Sequence, residues 1–369
     1  KRNLITQVFL RRVVLAAFQD EAKNGTIKGL KDKITKVFSE ESTVIYPEEG
    51  LEKRSEARNT VMIYMTGSNL ESSGAYATRD MNEMAGSGID LSETNLVIYT
   101  GGSQSWKNDI PSTFNCVVDM SLGAGQRVVA RTEGNADMGA AMTLSAFINF
   151  ATDYYPAEHY FLIFWDHGGG PLWGYGSDEL FEGDSLLLPE MKSAMDGTIF
   201  ASGTRLELVG FDACLMGSYE VMSLWSSYAN TCVASEELEP GDGWNYAFLE
   251  SFNTSSDPLV IGKSIIESFG SYYDGKRSAS YDPQVSLSLT DLSKISAVDK
   301  ALEEAADVNT KQLGQIESLK RRVSVLEKIH DIGVTASVED GVLVLSGAQV
   351  EDGVLILSGV RVEDGVLIF

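Results

Sequence analysis

The sequence predicts an α/β protein whose core is a mostly parallel sheet sandwiched by helices. Three observations lead there. Short apolar runs recur at 60–65, 95–100, 160–165, 206–211, 231–234 and 285–289, and near-continuous apolar character marks strands buried on both faces. Segments of helical spacing near 70–85, 138–154, 218–228 and 259–272 alternate with them, which is the pattern of a parallel sheet covered by helices. Two of the runs end abruptly in a polar or nucleophilic residue followed by small ones: Phe161-Leu-Ile-Phe-Trp-Asp166-His167-Gly-Gly-Gly170 and Leu206-Glu-Leu-Val-Gly-Phe-Asp212-Ala-Cys214-Leu-Met216. Strand C-terminal ends of open parallel sheets are where ligands bind.

A chain of 369 residues exceeds the roughly 250 to 300 residues that one core holds, so a large domain with appendages is expected. Four regions are read: a helical N-terminal segment over 1–58, the α/β domain over 59–292, a helical segment over 293–333 carrying Leu319, Val323 and Leu326 at helical spacing, and a repetitive tail over 334–369. In the tail, Val338-Glu-Asp-Gly, Val350-Glu-Asp-Gly and Val362-Glu-Asp-Gly recur with a period of 12, each followed by β-formers. Asp-Gly between such runs signals tight hairpin turns, so the tail reads as short paired strands. The net charge of -24 argues against a nucleic-acid partner and is compatible with cationic substrates or divalent cations. No window of 18 apolar residues exists, so no helix is expected to span a membrane. The apolar stretch Leu4–Phe18 is interrupted by Arg11 and Arg12, which suits an amphipathic helix better than a signal segment.

The three cysteines, Cys116, Cys214 and Cys232, have no metal-site or disulfide spacing, and an odd number leaves a free thiol. Cys116 and Cys232 lie in ordinary apolar surroundings and read as packing residues. Cys214 differs because it ends a strand 47 residues after His167, which ends another. A thiol becomes a good nucleophile as thiolate, and an imidazole can take its proton and return it to a leaving amine. An upstream His about 50 residues before an Ala-Cys pair matches the caspase pattern. Gly168 to Gly170 lack Cβ atoms, so substrate could approach the backbone closely, and the N–H groups of Gly168 and Cys214 could cradle an oxyanion. Read as structure instead, His167 would be a turn residue and Cys214 a small buried one. His159, beside Pro156, and His330, in a charged helix, are weaker partners for a thiol.

Four stretches resemble the clostripain family of cysteine endopeptidases, which share a caspase-like fold: Val61-Met-Ile-Tyr-Met-Thr-Gly-Ser-Asn69-Leu-Glu, Trp165-Asp-His-Gly-Gly-Gly170, Gly210-Phe-Asp-Ala-Cys-Leu-Met216 and Ala234-Ser-Glu-Glu-Leu-Glu-Pro-Gly-Asp-Gly-Trp-Asn-Tyr246. They cover about residues 59 to 292. The resemblance implies that His167 and Cys214 are the catalytic pair, that substrates are proteins or peptides cut after Arg or Lys, and that Asp212 helps to form the pocket for the basic side chain. A carboxylate at that strand end suits a guanidinium or ammonium; the structural alternative is a cap for the helix starting near Gly217. Asp166 could orient a loop, and Glu236 and Glu237 could line the cleft rim. The family also implies secretion or cell-surface location and a monomer, or two self-cleaved chains that stay associated. Between His167 and Cys214 the only basic residues are Lys192 and Arg205. Lys192 follows the acidic stretch 177–190, whereas Arg205 abuts the Cys214 strand, so Lys192 is the expected cut unless a helix over 189–195 shields it. The thiol chemistry needs no cofactor. Some relatives depend on calcium, but no Asp-x-Asp-x-Asp-Gly loop gives that ion an address here. The 12-residue repeats have no counterpart in the family. A second reading is a caspase-like scaffold kept as a silent binding or surface module; the presence together of His167, Cys214, Gly168 and Asp212 favours the enzyme.

Overall fold

A computed structural model describes residues 42–122, 127–278, 280, 283 and 285–331, together with short strands between 335 and 368. Of the helical lead-in expected over 1–58, residues 1–41 lie outside the described residues, and 42–58 are not helical but carry a short strand at Tyr46–Pro47 and the start of the strand Ala57–Thr66. Two compact units divide at residues 295 and 296. In chain order the first contains β1 (Tyr46–Pro47), β2 (Ala57–Thr66), α1 (Ser68–Gly74), α2 (Tyr76–Gly86), β3 (Thr94–Gly101), β4 (Cys116–Asp119), β5 (Arg127–Arg131), α3 (Ala141–Tyr154), β6 (Ala157–Trp165), α4 (Gly170–Trp173), β7 (Tyr175–Asp178), β8 (Asp184–Leu186), α5 (Leu188–Asp196), β9 (Leu206–Asp212), α6 (Tyr219–Trp225), β10 (Ala229–Ala234), a 3₁₀ segment (Tyr246–Asn253), α7 (Pro258–Lys276) and β11 (Ser288–Asp291). Nine strands form one sheet in the order β1-β5-β4-β3-β2-β6-β9-β10-β11. The five from β3 to β10 in that order run parallel, and the outer strands pair antiparallel.

The parallel centre follows from its residues. Along β2 every side chain from Asn59 to Thr66 is buried, as is every one along β3, which only a sheet covered on both faces permits. Alternation then sorts them. Met62, Tyr64, Val97, Tyr99, Leu162, Phe164, Val209 and Phe211 face one core with α3, α5 and α6. Val61, Ile63, Met65, Leu96, Ile98, Phe161, Ile163 and Leu208 face the other, with α2, the 3₁₀ segment and α7. This is the period of two that a pleated strand imposes.

The helix expected over 70–85 is two helices. Ala75 adopts a left-handed backbone (φ 56°) between them, and the buried Glu71 carboxylate accepts from Thr78 N (2.9 Å) and Thr78 Oγ1 (2.7 Å), capping the start of α2. In a single helix Thr78 N would instead donate to the Gly74 carbonyl, and the buried Glu71 carboxylate would lose that donor. Strands β1, β4 and β5 and the β7–β8 hairpin are not expected from periodicity. Four-residue runs such as Cys116–Asp119 are too short to show a period.

The second unit continues the helix Ile295–Asp331 (α8) and contains three antiparallel hairpins: β12 (Thr335–Glu339) with β13 (Val342–Ser346), β14 (Gln349–Glu351) with β15 (Val354–Ile356), and β16 (Arg361–Glu363) with β17 (Val366–Ile368). Each pair flanks one of the Asp-Gly dipeptides. No helix among the described residues is long and apolar enough to cross a membrane.

Phe164 lies at the middle of the first core. Fully buried, it stacks on Phe211 (centroids 4.9 Å apart, planes at 7°) and meets Tyr175 and Trp225 edge-on. Phe164→Ala is expected to cost about 3–5 kcal/mol, lost transfer energy plus a cavity. A urea-unfolding midpoint indistinguishable from wild type would contradict that packing.

Candidate active site

The parallel strands β2, β6 and β9 are neighbours, and their last rungs are aligned: Met65 pairs with Trp165, and Trp165 with Asp212. His167 and Cys214 each stand two residues beyond that shared rung. Equal offsets on adjacent parallel strands, about 4.8 Å apart, bring the two residues side by side. The ladder continues past the strands, since Asp166 N donates to Asp212 O (3.3 Å). The chain leaves β2 on one side for β3 and returns on the other for β6, so this edge is the topological switch point of the sheet, where a crevice opens.

Gly168 is needed for the approach. A Cβ there would lie 2.0 Å from Cys214 O and 3.0 Å from Cys214 N, so only glycine lets the two strand ends come together. Beyond Cys214 the backbone turns sharply: Leu215 is left-handed at φ 65°, an uncommon state for a γ-branched residue. That turn is clamped onto the segment after β10, because Leu215 N donates to Glu237 O (3.0 Å) and Gly217 N to Ser235 O (2.7 Å). The Cys214 Sγ accepts from Glu239 N (3.2 Å) and lies 3.7 Å from Glu239 O.

On the other side, His167 Nε2 is 2.7 Å from Asn69 Oδ1. Asn69 follows β2 and comes from the stretch 61–71, where sequence reading gave it no role. Its position is set by Ser68, held at φ 46°. The Ser68 hydroxyl donates to Asp166 Oδ1 (2.6 Å), its carbonyl accepts from Ser103 Oγ (2.9 Å), and the other Asp166 oxygen accepts from Ser177 N (2.7 Å). Asp166 is therefore the loop-orienting residue, joining the ends of β2 and β6 to β7. Burial lowers the His167 pKa from its ordinary value, which keeps the ring neutral, the form that accepts a proton, at neutral pH. In this structure His167 and Cys214 are not hydrogen-bonded to each other; one is engaged by Asn69 and the other by the Glu239 main chain. Such bonds commonly close only when substrate is present.

A group of carboxylates adjoins the thiol. Asp212, 5% exposed, accepts from Trp244 N (3.0 Å) on Oδ1 and from Tyr246 OH (2.9 Å) on Oδ2. Asp80 accepts from Trp165 Nε1 (2.6 Å) and Glu83 from Tyr246 N (3.3 Å). Burial pushes Asp212 up to about 7, with Glu83 adding to the rise, and also raises Asp80, with Asp212 as its next cause. Asp212 is not a helix cap: α6 starts two residues after Gly217 and is capped by Ser218 Oγ, which accepts from Val221 N (3.4 Å). Glu239 was not singled out from the sequence, having no partner at a telling spacing.

Glu236 and Glu237 are exposed, and Glu236 accepts from Ser288 Oγ (2.6 Å). Lys192 lies on α5, paired with Asp196 one turn on, so the shielding helix is present. Arg205 donates to Asn230 Oδ1 (2.8 Å) and to the carbonyls of Ser226 (2.9 Å), Ser227 (3.1 Å) and Ala229. Cys116 and Cys232 are buried, and burial pushes the Cys116 thiol up to about 12. Among the described residues no three His, Cys, Asp or Glu are arranged to hold a metal ion.

The clostripain family model matches residues 63–334, running past the four motif stretches into α8. Clostripain of Hathewaya histolytica is 30% identical over 129 residues; the aligned part is 30% of this chain and 24% of that protein, so the chain spans about a quarter of the length of that curated relative. A secreted C11 cysteine protease from Bacteroides thetaiotaomicron, solved in complex with an irreversible peptide inhibitor, superposes with a TM-score of 0.54 at 23% identity, over 66% of this chain and 69% of that one. An inactive zymogen C11 protease from Parabacteroides distasonis gives 0.51 at 23% identity, over 66% of this chain and 64% of that one. These likenesses establish the caspase-like α/β fold.

The contact at Gly168 makes a direct prediction. Gly168→Ala is expected to force the β6 and β9 ends apart, lowering the thermal midpoint by several degrees and changing the alkylation rate of Cys214 by iodoacetamide. Wild-type values for both, measured by thermal melting and by mass spectrometry of the Cys214 peptide, would refute the close approach.

Proposed function

The chain belongs to the clostripain family, and on that premise we propose that it is a cysteine endopeptidase cutting protein or peptide chains after Arg or Lys. The observation that carries this reading is the equal two-residue offset of His167 and Cys214 beyond the shared rung of adjacent strands. Asn69 Oδ1 accepts the Nε2 proton of His167, which selects the tautomer whose Nδ1 is free to take the thiol proton. The Cys214 thiolate attacks the substrate carbonyl carbon. Charge that develops on the carbonyl oxygen meets the Gly168 and Cys214 N–H groups. His167 delivers its proton to the departing amine, and then takes one from the water that hydrolyses the thioester. Asp212 is the carboxylate for the basic side chain: burial raises its pKa while the site is empty, and it gives up its proton to solvent as the cation enters. The description of a Bacteroides thetaiotaomicron relative as secreted supports the same location for this protein.

Cys214→Ala and His167→Ala are each expected to leave less than about a hundredth of wild-type activity on a basic-residue reporter peptide, since nucleophile and base act as a unit and their losses do not add. Activity above that level in either variant would end the assignment. If iodoacetamide fails to modify Cys214 selectively and no reporter is cut, the silent-scaffold reading takes its place.

Self-processing is assigned to Lys192 in preference to Arg205. Arg205 is tied to four acceptors at the base of a core strand, whereas α5 is a nine-residue helix on the surface, and short helices unwind more readily than strands of a central sheet. Intact-mass measurement should show slow cleavage after Lys192 in wild type and a single chain in Cys214→Ala. A fully active, uncut wild type rules out self-processing there, and so does cutting that persists in Cys214→Ala.

A further inference from the structure

The two most exposed large apolar side chains among the described residues are neighbours, Leu172 and Trp173, at 73% and 74%. They stand on α4, whose first residue is three after His167. The third, Leu238 at 65%, follows Glu237, whose carbonyl clamps the Cys214 turn. Exposed apolar side chains gathered at one place mark a surface that meets something else. Here they border the His167–Cys214 pair from both sides.

The α4 turn is pinned beside the pair. Its two ends are tied together: Gly169 N donates to Gly174 O (2.8 Å), Gly176 N to His167 O (2.8 Å), and Gly168 pairs with Tyr175. Pro171 stiffens its start. The stem of Trp173 is seated on Gly169, where an added Cβ would come within 2.3 Å of the Trp173 Cβ. Gly170, left-handed at φ 63°, lays the turn against the residue after the thiol, since a Cβ there would lie 3.0 Å from Leu215 O. Leu172 and Trp173 are thereby held out at a fixed place next to both reacting groups.

The sheet decides which part of a substrate reaches them. The strands lie in the order β2, β6, β9, β10, so His167 beyond β6 and the 235–246 segment beyond β10 stand on opposite sides of Cys214. Asp212 is held by Trp244 and Tyr246 of that segment, which puts the acyl portion of the substrate on the β10 side. The departing amine takes its proton from His167, so the leaving portion passes over β6. Trp244 and Tyr246 belong to the core covered by α2 and α7, whereas α4 neighbours α6 on the other face. Side chains of an extended chain alternate. With the basic side chain directed to the first face, the next residue is directed to the face where Leu172 and Trp173 stand.

We propose that Leu172 and Trp173 form the subsite for the first residue after the cut, and that this residue is apolar. This rests on the peptidase reading above and deepens it by assigning the leaving side. The bond after Lys192 has Ser193 on its leaving side, which gains nothing from such a contact and accords with slow self-processing there.

The test uses the full chain, an N-blocked arginine ethyl ester, which has no residue on the leaving side, and an equimolar mixture of leucinamide and glycinamide. Either amine competes with water for the thioester: its nitrogen bonds to the acyl carbon, the carbon–sulfur bond breaks, and the amine proton passes through His167 to the thiolate. An added amine enters where a leaving amine departs, so the initial ratio of the two amide products reads the subsite and is independent of how much enzyme is active. Wild type should favour the leucinamide product by at least about tenfold. Trp173→Ala keeps the Cβ that sits on Gly169, so its thermal midpoint should match wild type while the preference falls to less than about threefold. Trp173→Phe should retain most of it. A wild type that hydrolyses the ester but captures the two amines alike, or captures neither, overturns the proposal and leaves the peptidase reading intact. So does a preference unchanged in Trp173→Ala or, if that variant fails to fold, in Leu172→Ser. An unchanged preference together with loss of a dimer in Trp173→Ala, by light scattering, assigns the pair to contact with a second copy instead. A wild type that neither hydrolyses the ester nor forms either amide, with Cys214 inert to iodoacetamide, ends both readings.

Discussion

Everything at this site depends on one alignment, the common rung formed by Met65, Trp165 and Asp212 across three parallel strands. Parallel strands in register end at the same height, so residues at equal distances beyond the rung become neighbours whatever their separation in sequence. The alignment is itself enforced by burial. A slip of one residue would send Tyr64, Phe164 and Phe211 into the opposite core and expose the packing of both. The hydrophobic cores on the two faces therefore set the distance between a base and a thiol. A hydroxyl reinforces the setting: Tyr175 OH donates to Tyr64 O (2.7 Å) and accepts from Trp165 N (3.1 Å), tying β2 two residues before its end to the last residue of β6.

A second theme is desolvation, used with opposite effect on different groups. It keeps His167 neutral and holds Asp212 and Asp80 toward their protonated forms. A protein that carries a net charge of -24 gathers several carboxylates around its thiol without the full repulsion that number implies, because burial and donor bonds decide which of them ionise. At Asp212 the donors oppose burial, and burial wins.

The central strands were legible because their periodicity is carried within a few consecutive residues, and so were the ends that bear His167 and Cys214, where an apolar run stops at a polar residue. Asn69 was less so. It is 98 residues from His167, and asparagine after Gly-Ser reads as a turn residue; its role exists only because β2 lies beside β6. Glu239 is hidden for a similar reason, since in sequence it is one of several carboxylates between 236 and 242. The hairpin Tyr175–Leu186 was obscured by its composition, since Gly176, Asp178 and Gly183 look like loop. The left-handed Ala75 split one expected helix in two, against the ordinary preference of alanine for the right-handed helix.

The adjacency of β6 and β9 has one more implication. His167 and Cys214 are joined through the hydrogen-bonded ladder from Phe161 opposite Leu208 to Trp165 opposite Asp212, while the peptide chain between them takes the long way round through β7, β8 and α5. Covalent continuity along that detour contributes nothing to their spacing. The sheet is the real connection, and the His167–Cys214 pair is in effect already held by a complex of two polypeptide segments that happen to share a backbone.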